Sequence, residues 1–310
     1  MATTTSITST YAGEFAGKYI SAALLSGSTL ANDIITIKPN IKYKEVLKKV
    51  ATDGIVKNAT CDFDATSTIT LTERILTMEE FQVTLQLCKK DFVSDWEAVQ
   101  MGYSAHSDLP PSFSDFLIAH VASKVAAKIE SNIWEGTNAT AGEFDGFSNL
   151  FKADSDVSDI SATSVTSSNV ISELGKVVDA IPSAVYGSED LTLYVSPNIY
   201  RAYVRALGGF ASQIGAAGVD NKGTQWFNGS ALTFDGINME LANGFANNTA
   251  CAAQKSNLFF GTGLMSDTNE VKVIDMSDLD GSQNVRVVMR FQAGVNHGIG
   301  SDIVYYAEDV

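Results

Sequence analysis

The chain has 310 residues and a formal net charge of −15, from 36 acidic against 21 basic side chains, with 45% hydrophobic residues and only 5 prolines. This composition excludes a wholly disordered or collagen-like chain and argues against a broad basic face for gripping nucleic acid; the length suits one large domain or two ordinary ones. No apolar run approaches the ~18 to 20 residues of a membrane helix, and Met1-Ala-Thr-Thr-Thr-Ser has neither a basic leader nor an apolar signal core, so the expectation is a soluble, cytosolically made protein with no membrane partner.

Residues 1–12 are rich in Thr and Ser and are expected to fray, while Phe15, Tyr19, Ala22, Ala23 and Leu24 allow a short amphipathic helix over Gly13–Leu25. Between Lys38 and Lys57, the side chains Lys42, Lys44, Lys48 and Lys49 face only Glu45 and Asp53, making a basic island in an acidic molecule. Such an island is either a solvated face or a surface that pairs with an acidic neighbouring subunit or packaged nucleic acid. Next, Thr66–Thr72 and Glu80–Leu87 read as the two strands of a hairpin, the second placing Phe81, Val83, Leu85 and Leu87 on one face and Gln82, Thr84 and Gln86 on the other. Two strands offer little apolar surface to offset chain entropy, so this hairpin is expected to lie against a neighbouring subunit or the long helix that follows.

That helix is announced by Pro110-Pro111 and by the capping-box spacing of Ser112 and Asp115. Phe113, Leu117, Val121, Val125, Ile129 and Ile133 recur at i+4 until Gly136. The spacing predicts a helix over Ser112–Glu135, roughly 36 Å long at ~1.5 Å per residue. A Ser/Asp/Thr-rich stretch from Asp154 to Ser168 marks a candidate boundary, after which Val170, Ile171, Leu174, Val177, Val178 and Ile181 give helical periodicity up to Pro182. Leu191, Leu193 and Val195 alternate as a strand, and Ser196-Pro197 opens a helix to Leu207. Gly208, Gly209, Gly215, Gly218 and Gly223 predict a flexible loop over 208–224. Asp235-Gly236 is the two-residue signal of a tight hairpin between Ala231–Phe234 and Ile237–Leu241. Further strands are expected at Asn257–Phe260, Glu270–Met276, Asn284–Gln292 and Asp302–Ala307, and no internal repeat is found.

Motifs that carry chemistry are missing. Cys61, Cys88 and Cys251 are odd in number and widely spaced, and with His106, His120 and His297 they form no metal-ligand spacing; buried free thiols are the expectation. Gly218 and Gly223 have phosphate-loop spacing, but Thr224 stands where that motif needs lysine, and the calcium-loop-like Asp278-Leu279-Asp280-Gly281 has Met276 and Val287 at two ligand positions. No nucleophile elbow and no catalytic triad are visible. The reading is therefore of a non-enzyme with no cofactor, no metal and no catalytic residue. A cytosolic hydrolase using a carboxylate pair is the alternative from another class, and a Ser/Thr-rich surface adhesin is a third that the missing signal peptide opposes.

Three segments, taken in order, carry a resemblance: Leu109-Pro110 through Trp134-Glu135-Gly136; Leu193-Tyr194-Val195-Ser196-Pro197-Asn198 with Tyr203 and Leu207; and Phe234-Asp235-Gly236-Ile237. Together they resemble the major capsid proteins of tailed bacteriophages, whose α+β fold is named for phage Hong Kong 97. The resemblance spans nearly the whole chain. It implies an N-terminal arm over residues 1–52, an extended hairpin called the E-loop over 53–107, a peripheral domain with a long spine helix over 108–164, an axial domain over 165–265, and return strands to the peripheral domain over 266–310. The sequence around Thr60-Cys61-Asp62-Phe63 and Leu87-Cys88-Lys89-Lys90-Asp91-Phe92 also resembles capsid sequences from phages of Bacteroidota.

The resemblance implies a homo-oligomer of hexamers and pentamers closing an icosahedral shell around double-stranded DNA, assembled in the host cytoplasm and located in the virion. The implied partners are a scaffolding protein separate from this chain or none, a portal, possible decoration proteins, and packaged DNA through weak contacts. Expected intersubunit contacts are Phe81, Val83, Leu85 and Leu87 of the hairpin, Lys42, Lys44, Lys48 and Lys49 of the arm, and Gly208, Gly209, Gly215 and Gly218 of the axial loop. No covalent cross-link is expected. An encapsulin-like nanocompartment shell is the alternative within the same fold.

Overall fold

The computed structural model describes residues 28–52, 56, 58, 59, 61, 69–88, 111–207, 232–263, 272–277 and 281–308. The expected helix over Gly13–Leu25 and the glycine-rich loop over 208–224 lie outside these residues.

The element that organises the rest is the long helix. Preceded in the chain by a short helix α1 (Ser28–Ala31), helix α2 runs over Pro111–Glu135. Proline occupies its first position, where the missing N–H would have had no helical partner. Its 25 residues span roughly 37 Å at ~1.5 Å per residue. Val121, Val125, Ile129 and Ile133, the second half of the i+4 stripe, are all buried. The helix stops where Gly136 N–H donates to the Asn132 carbonyl at 3.1 Å. At that end Trp134 is fully buried among Phe147, Tyr194 and Phe245, with ring centroids at 5.4, 5.4 and 4.4 Å. Phe147 opens helix α3 (Phe147–Ala153), which the sequence reading did not anticipate.

Two sheets flank this spine. In the five-stranded one, β1 (Thr36–Lys38), β10 (Leu258–Thr262), β12 (Asn284–His297) and β11 (Lys272–Asp275) lie in that order, and β4 (Glu79–Cys88) pairs with β12 as well. The six-stranded sheet has the order β5 (Ser158–Ser161), β13 (Val304–Ala307), β9 (Ala250–Gln254), β6 (Leu191–Val195), β8 (Ile237–Leu241), β7 (Leu232–Phe234).

The six-stranded sheet is buried on both faces, and strand alternation explains how. On one face Tyr194, Cys251, Ala253, Tyr305 and Ala307 join the core built on α2; on the other, Leu193, Val195, Ala250, Ala252, Val304 and Tyr306 join a second core under helices α4 (Val170–Asp179) and α5 (Pro197–Leu207). The small side chains of Ala250-Cys251-Ala252-Ala253 let the two layers approach a common strand. Between β7 and β8, Asp235 and Gly236 have φ of 51° and 83°, the left-handed pair that a two-residue turn requires and that glycine adopts without strain.

Several expectations need correction. The two strands predicted as a hairpin exist, but not as partners. Strand β3 runs over Ile69–Thr77, only Met78 separates it from β4, and it pairs antiparallel with β2 (Lys44–Thr52), while β4 pairs with β12 along its whole length. The physical reason lies in residues 73–79, Glu-Arg-Ile-Leu-Thr-Met-Glu, which contain no Gly, Pro, Asn or Asp to turn the chain back. Strands β2, β5 and β9 and helix α3 were not foreseen. Late in the chain, β10 pairs with β12 in the five-stranded sheet, and β13 lies between β5 and β9 in the six-stranded one. Of the three free cysteines only Cys251 is buried, where burial pushes its thiol far above the usual range; Cys61 is exposed.

Candidate assembly interface

The β2–β3 ribbon stands apart from both sheets, because β2 and β3 pair with each other alone. Its root is anchored by apolar packing. Leu47 from β2 and Leu76 from β3 are buried with Ile41 and Met78, and Phe259 of β10 packs against them. Backbone bonds add to the anchor, with Met78 N–H donating to the Tyr43 carbonyl at 3.0 Å and Ile41 N–H to the Thr262 carbonyl at 3.1 Å.

Beyond the root, one face of the ribbon is largely open among the described residues, with Val46 and Val50 at the edge of a groove beside β2. Register places Val46 opposite Ile75, Lys48 opposite Glu73 and Val50 opposite Leu71, and Ile69 lies two positions before Leu71 on β3. With period-2 alternation these side chains share one face. Its apolar members are open to solvent: Val50 is 62% exposed and Ile69 and Leu71 are 70% exposed. Five large hydrophobic side chains, Val46, Val50, Ile69, Leu71 and Ile75, therefore line one side of a two-stranded ribbon without cover from the described residues of the chain. An uncovered apolar stripe on a protruding element is the usual sign of a surface buried by association.

Charge is arranged around the same ribbon. A groove of about 530 Å³ runs beside β2 and is lined by Lys38, Lys48, Lys49, Asn257, Phe259 and Ile299 among others. Lys38 forms an ion pair with Glu45 at 2.5 Å and lies 5.0 Å from the Phe259 ring centroid; Lys44 sits 5.2 Å from that of Tyr43. Lys42 lines a second cleft of about 870 Å³ with Glu80, Phe81, Arg290 and Phe291. Of the basic island, Lys42 lines one cleft and Lys48 and Lys49 the other.

A polar node ties the ribbon to the body. Arg74 of β3 donates from Nη2 to Asp154 Oδ2 at 2.7 Å, and its Nη1 lies 2.6 Å from His297 Nε2 at the end of β12. His297 Nε2 is in turn 2.8 Å from Asp154 Oδ2. Partial burial raises the affinity of Asp154 for protons, but the hydrogen bonds from His297 and Arg74 and the Arg74 charge outweigh it and bring its pKa down to about 2.

The predicted contact residues fall in different places. Phe81, Val83 and Leu87 pack against this chain's own core, Phe81 with ring centroids 6.0 Å from Phe144 and 5.5 Å from Phe291. Leu85, on the same face, is 46% exposed. Lys44, Lys48 and Lys49 are on β2, Lys42 in the turn before it, and Gly208, Gly209, Gly215 and Gly218 lie outside the described residues. The exposed stripe and the Arg74 node were not anticipated. The stripe has a signal, the i+2 alternation of Ile69, Leu71, Glu73 and Ile75; the node has none, since Asp154 and His297 are 143 positions apart. Among the described residues no group of His, Cys, Asp and Glu is placed to hold a metal ion.

No protein-family model and no curated protein matches the sequence. Solved structures do match over almost the whole chain. The capsid of a native GTA particle superposes with a TM-score of 0.61 at 12% identity, covering 93% of this chain and 92% of that one. The fold is that of phage capsid chains. The capsid of Myoviridae phage XM1 agrees, with a TM-score of 0.60 at 10% identity over 94% of each chain, and so does a chain of Mycobacterium phage Adephagia, with 0.60 at 16% identity over 94% of this chain and 92% of that one. At such low identity the likeness lies in the path of the backbone and the mixed helix and sheet architecture.

Proposed function

We propose that this chain is the major capsid protein of a tailed phage, which assembles through rings of five and six subunits into a closed shell around double-stranded DNA. The observation that carries the reading is the uncovered apolar face of the β2–β3 ribbon on a chain with a capsid fold. In this reading β2 and β3 belong to the E-loop, which then begins before the expected residue 53, α2 is the spine helix, the five-stranded sheet is part of the peripheral domain, and the six-stranded sheet with α4 and α5 is the axial domain. Covering the five apolar side chains with a neighbouring subunit contributes on the order of ~1 to 2 kcal/mol each per contact, and a shell repeats that contact in every subunit.

The net charge of −15 limits adhesion to packaged DNA, while Lys42, Lys44, Lys48 and Lys49 supply local attraction to acidic neighbours or to the genome. A scaffolding protein, a portal and decoration proteins are the partners in this reading, and assembly takes place in the host cytoplasm. A host among the Bacteroidota rests on the sequence around Cys61 and Cys88 alone. The test is Leu71→Asp combined with Val50→Asp: a folded chain that no longer forms shells or rings supports the reading, and normal particles overturn it.

A further inference from the structure

The Arg74 node contains a conflict that its chemistry cannot satisfy in one protonation state. An arginine only donates hydrogen bonds and an ionised carboxylate only accepts them. Yet His297 Nε2 lies 2.6 Å from Arg74 Nη1 and 2.8 Å from Asp154 Oδ2. With the proton on Nδ1, the Nε2 lone pair accepts from Arg74. With a proton on Nε2, that atom donates to Asp154 and offers Arg74 nothing. The other ring nitrogen, Nδ1, is buried with no hydrogen-bond partner among the described residues.

We propose that Arg74, Asp154 and His297 form a proton-operated latch on the ribbon root: neutral His297 and Asp154 together hold Arg74, and uptake of one proton at Nε2 turns that nitrogen to Asp154, leaves Arg74 held by Asp154 alone and loosens β2–β3 from the body. One proton comes from solvent, the Nε2···H–Nη1 bond breaks, and an Nε2–H···Oδ2 bond forms. The Arg74 Nη2 bond to Asp154 Oδ2 remains, but two cations then share one carboxylate, so the guanidinium is held more weakly and is repelled by the imidazolium.

Geometry around the ring limits what else can act on it. The charged groups facing the imidazole are Arg74 from β3 and Asp154 from the turn after α3; α3 itself presents the Phe151 ring, edge-on at 5.2 Å, and β10 presents Leu258 in register. The His297 side chain is 1% exposed, but Asp154 at 15% and Arg74 at 30% open the node to solvent protons. Burial lowers the proton affinity of His297 from the ordinary value of 6.5, the Asp154 hydrogen bond raises it, and the Arg74 charge lowers it again, with a net lowering. The latched state, in which the Nε2 lone pair accepts from Arg74, binds one proton fewer than the loosened one, so latching is lost as pH falls. After release, the ribbon keeps its apolar root and the bond from Asn296 Nδ2 to the Ile75 carbonyl at 2.8 Å. It changes angle without leaving the body.

The inference holds whether or not the chain builds a shell, so its test uses the full-length chain without assembly. Amide hydrogen exchange over residues 44–52 and 69–77 is compared at about pH 7.5 and about pH 5 after correction for intrinsic exchange rates. Protection of the ribbon is expected to fall by about tenfold at the lower pH, while α4 and α5 stay unchanged. His297→Gln, whose amide oxygen accepts from Arg74 but cannot titrate, is expected to keep ribbon protection constant across the range. Arg74→Gln is expected to show low protection at both values. A wild-type ribbon that does not respond to pH, or a His297→Gln variant that responds as wild type does, overturns the proposal. If His297→Gln does not fold, Arg74→Gln decides: constant low protection supports the latch, and a wild-type pH response overturns it.

Discussion

Glu130, buried on the inner face of α2, accepts two hydrogen bonds from one residue, the Thr29 backbone N–H at 3.1 Å and the Thr29 hydroxyl at 2.5 Å, across 101 positions of sequence. The Thr29 oxygen also accepts from Trp134 Nε1 at 2.9 Å. This is how the chain leading out of the N-terminal segment is held to the spine: a carboxylate satisfies a backbone donor in the first turn of α1, where no helical acceptor exists.

Burial raises the pKa of Glu130, and the bonds from Thr29 and Trp134 only partly offset that. A carboxylate with a raised folded-state value binds more protons folded than unfolded, so its contribution is most favourable below 4.5 and is lost as pH rises through the folded value. Glu130→Gln keeps the carbonyl acceptor for Thr29 N–H and removes the charge. Its stability at neutral pH is expected to match or exceed wild type, with a flatter dependence on pH. Glu130→Ala strands the Thr29 N–H and is expected to cost about 1 to 3 kcal/mol. Urea unfolding at several pH values checks both; a Gln variant as damaged as the Ala variant would refute the assignment.

Val83 and Leu71 separate folding from association. Val83 packs against the α2 core, so Val83→Asp buries a charge and is expected to destabilise the isolated chain by several kcal/mol. Leu71 is 70% exposed, so Leu71→Asp is expected to change the stability of the isolated chain by less than about 0.5 kcal/mol while blocking assembly. Thermal melts paired with sizing distinguish them, and equal destabilisation by the two substitutions would contradict the placement of the ribbon face.

Gly300 makes room for the acid group of the node. A Cβ at that position would sit 2.4 Å from Asp154 Oδ2. Asp154, with its pKa lowered from 3.8 to about 2, contributes stability that is complete above 3.8 and is lost as pH falls towards about 2. Gly300→Ala displaces this carboxylate and is expected to move acid unfolding to higher pH. Near-ultraviolet circular dichroism during acid titration reads the shift, and an unchanged midpoint would show that Asp154 is not held as described.

Leu76 carries the apolar root of the ribbon and is fully buried. Leu76→Ala is expected to cost about 2 to 5 kcal/mol, by lost transfer energy and the cavity left behind. Because Leu76 is central to the apolar root shared by β2 and β3, the first effect should be local: faster amide exchange in β2–β3 than in the six-stranded sheet. Uniform acceleration throughout the chain would instead mean that the ribbon unfolds only with the whole.

Local periodicity and turn chemistry were legible in this sequence; pairing across distance was not. The i+4 stripe of α2, the alternation of β4, the Ser196-Pro197 helix start and the Asp235-Gly236 turn each depend on neighbours in sequence, and each is found in the structure. Strand β9 escaped because Ala250-Cys251-Ala252-Ala253, buried on both faces, has no period. Strand β2 escaped because Lys48 and Lys49 interrupt the apolar alternation on both of its faces. The partner of β4 escaped because the contact is nonlocal: Arg286 of β12 reaches Gln86 across 200 positions. Order of elements indicated the family of folds, while the exposed stripe proposed to carry association, Val50, Ile69 and Leu71, became visible only once β3 was seen to pair with β2.

The measurement that bears most directly on the central claim is negative-stain electron microscopy of the purified full-length chain, with size-exclusion chromatography beside it. The account predicts closed shells, sheets or rings of five and six subunits for the wild-type chain, and their loss when Val50 and Leu71 are both replaced by Asp. A wild-type chain that stays a monodisperse monomer at every concentration would contradict it.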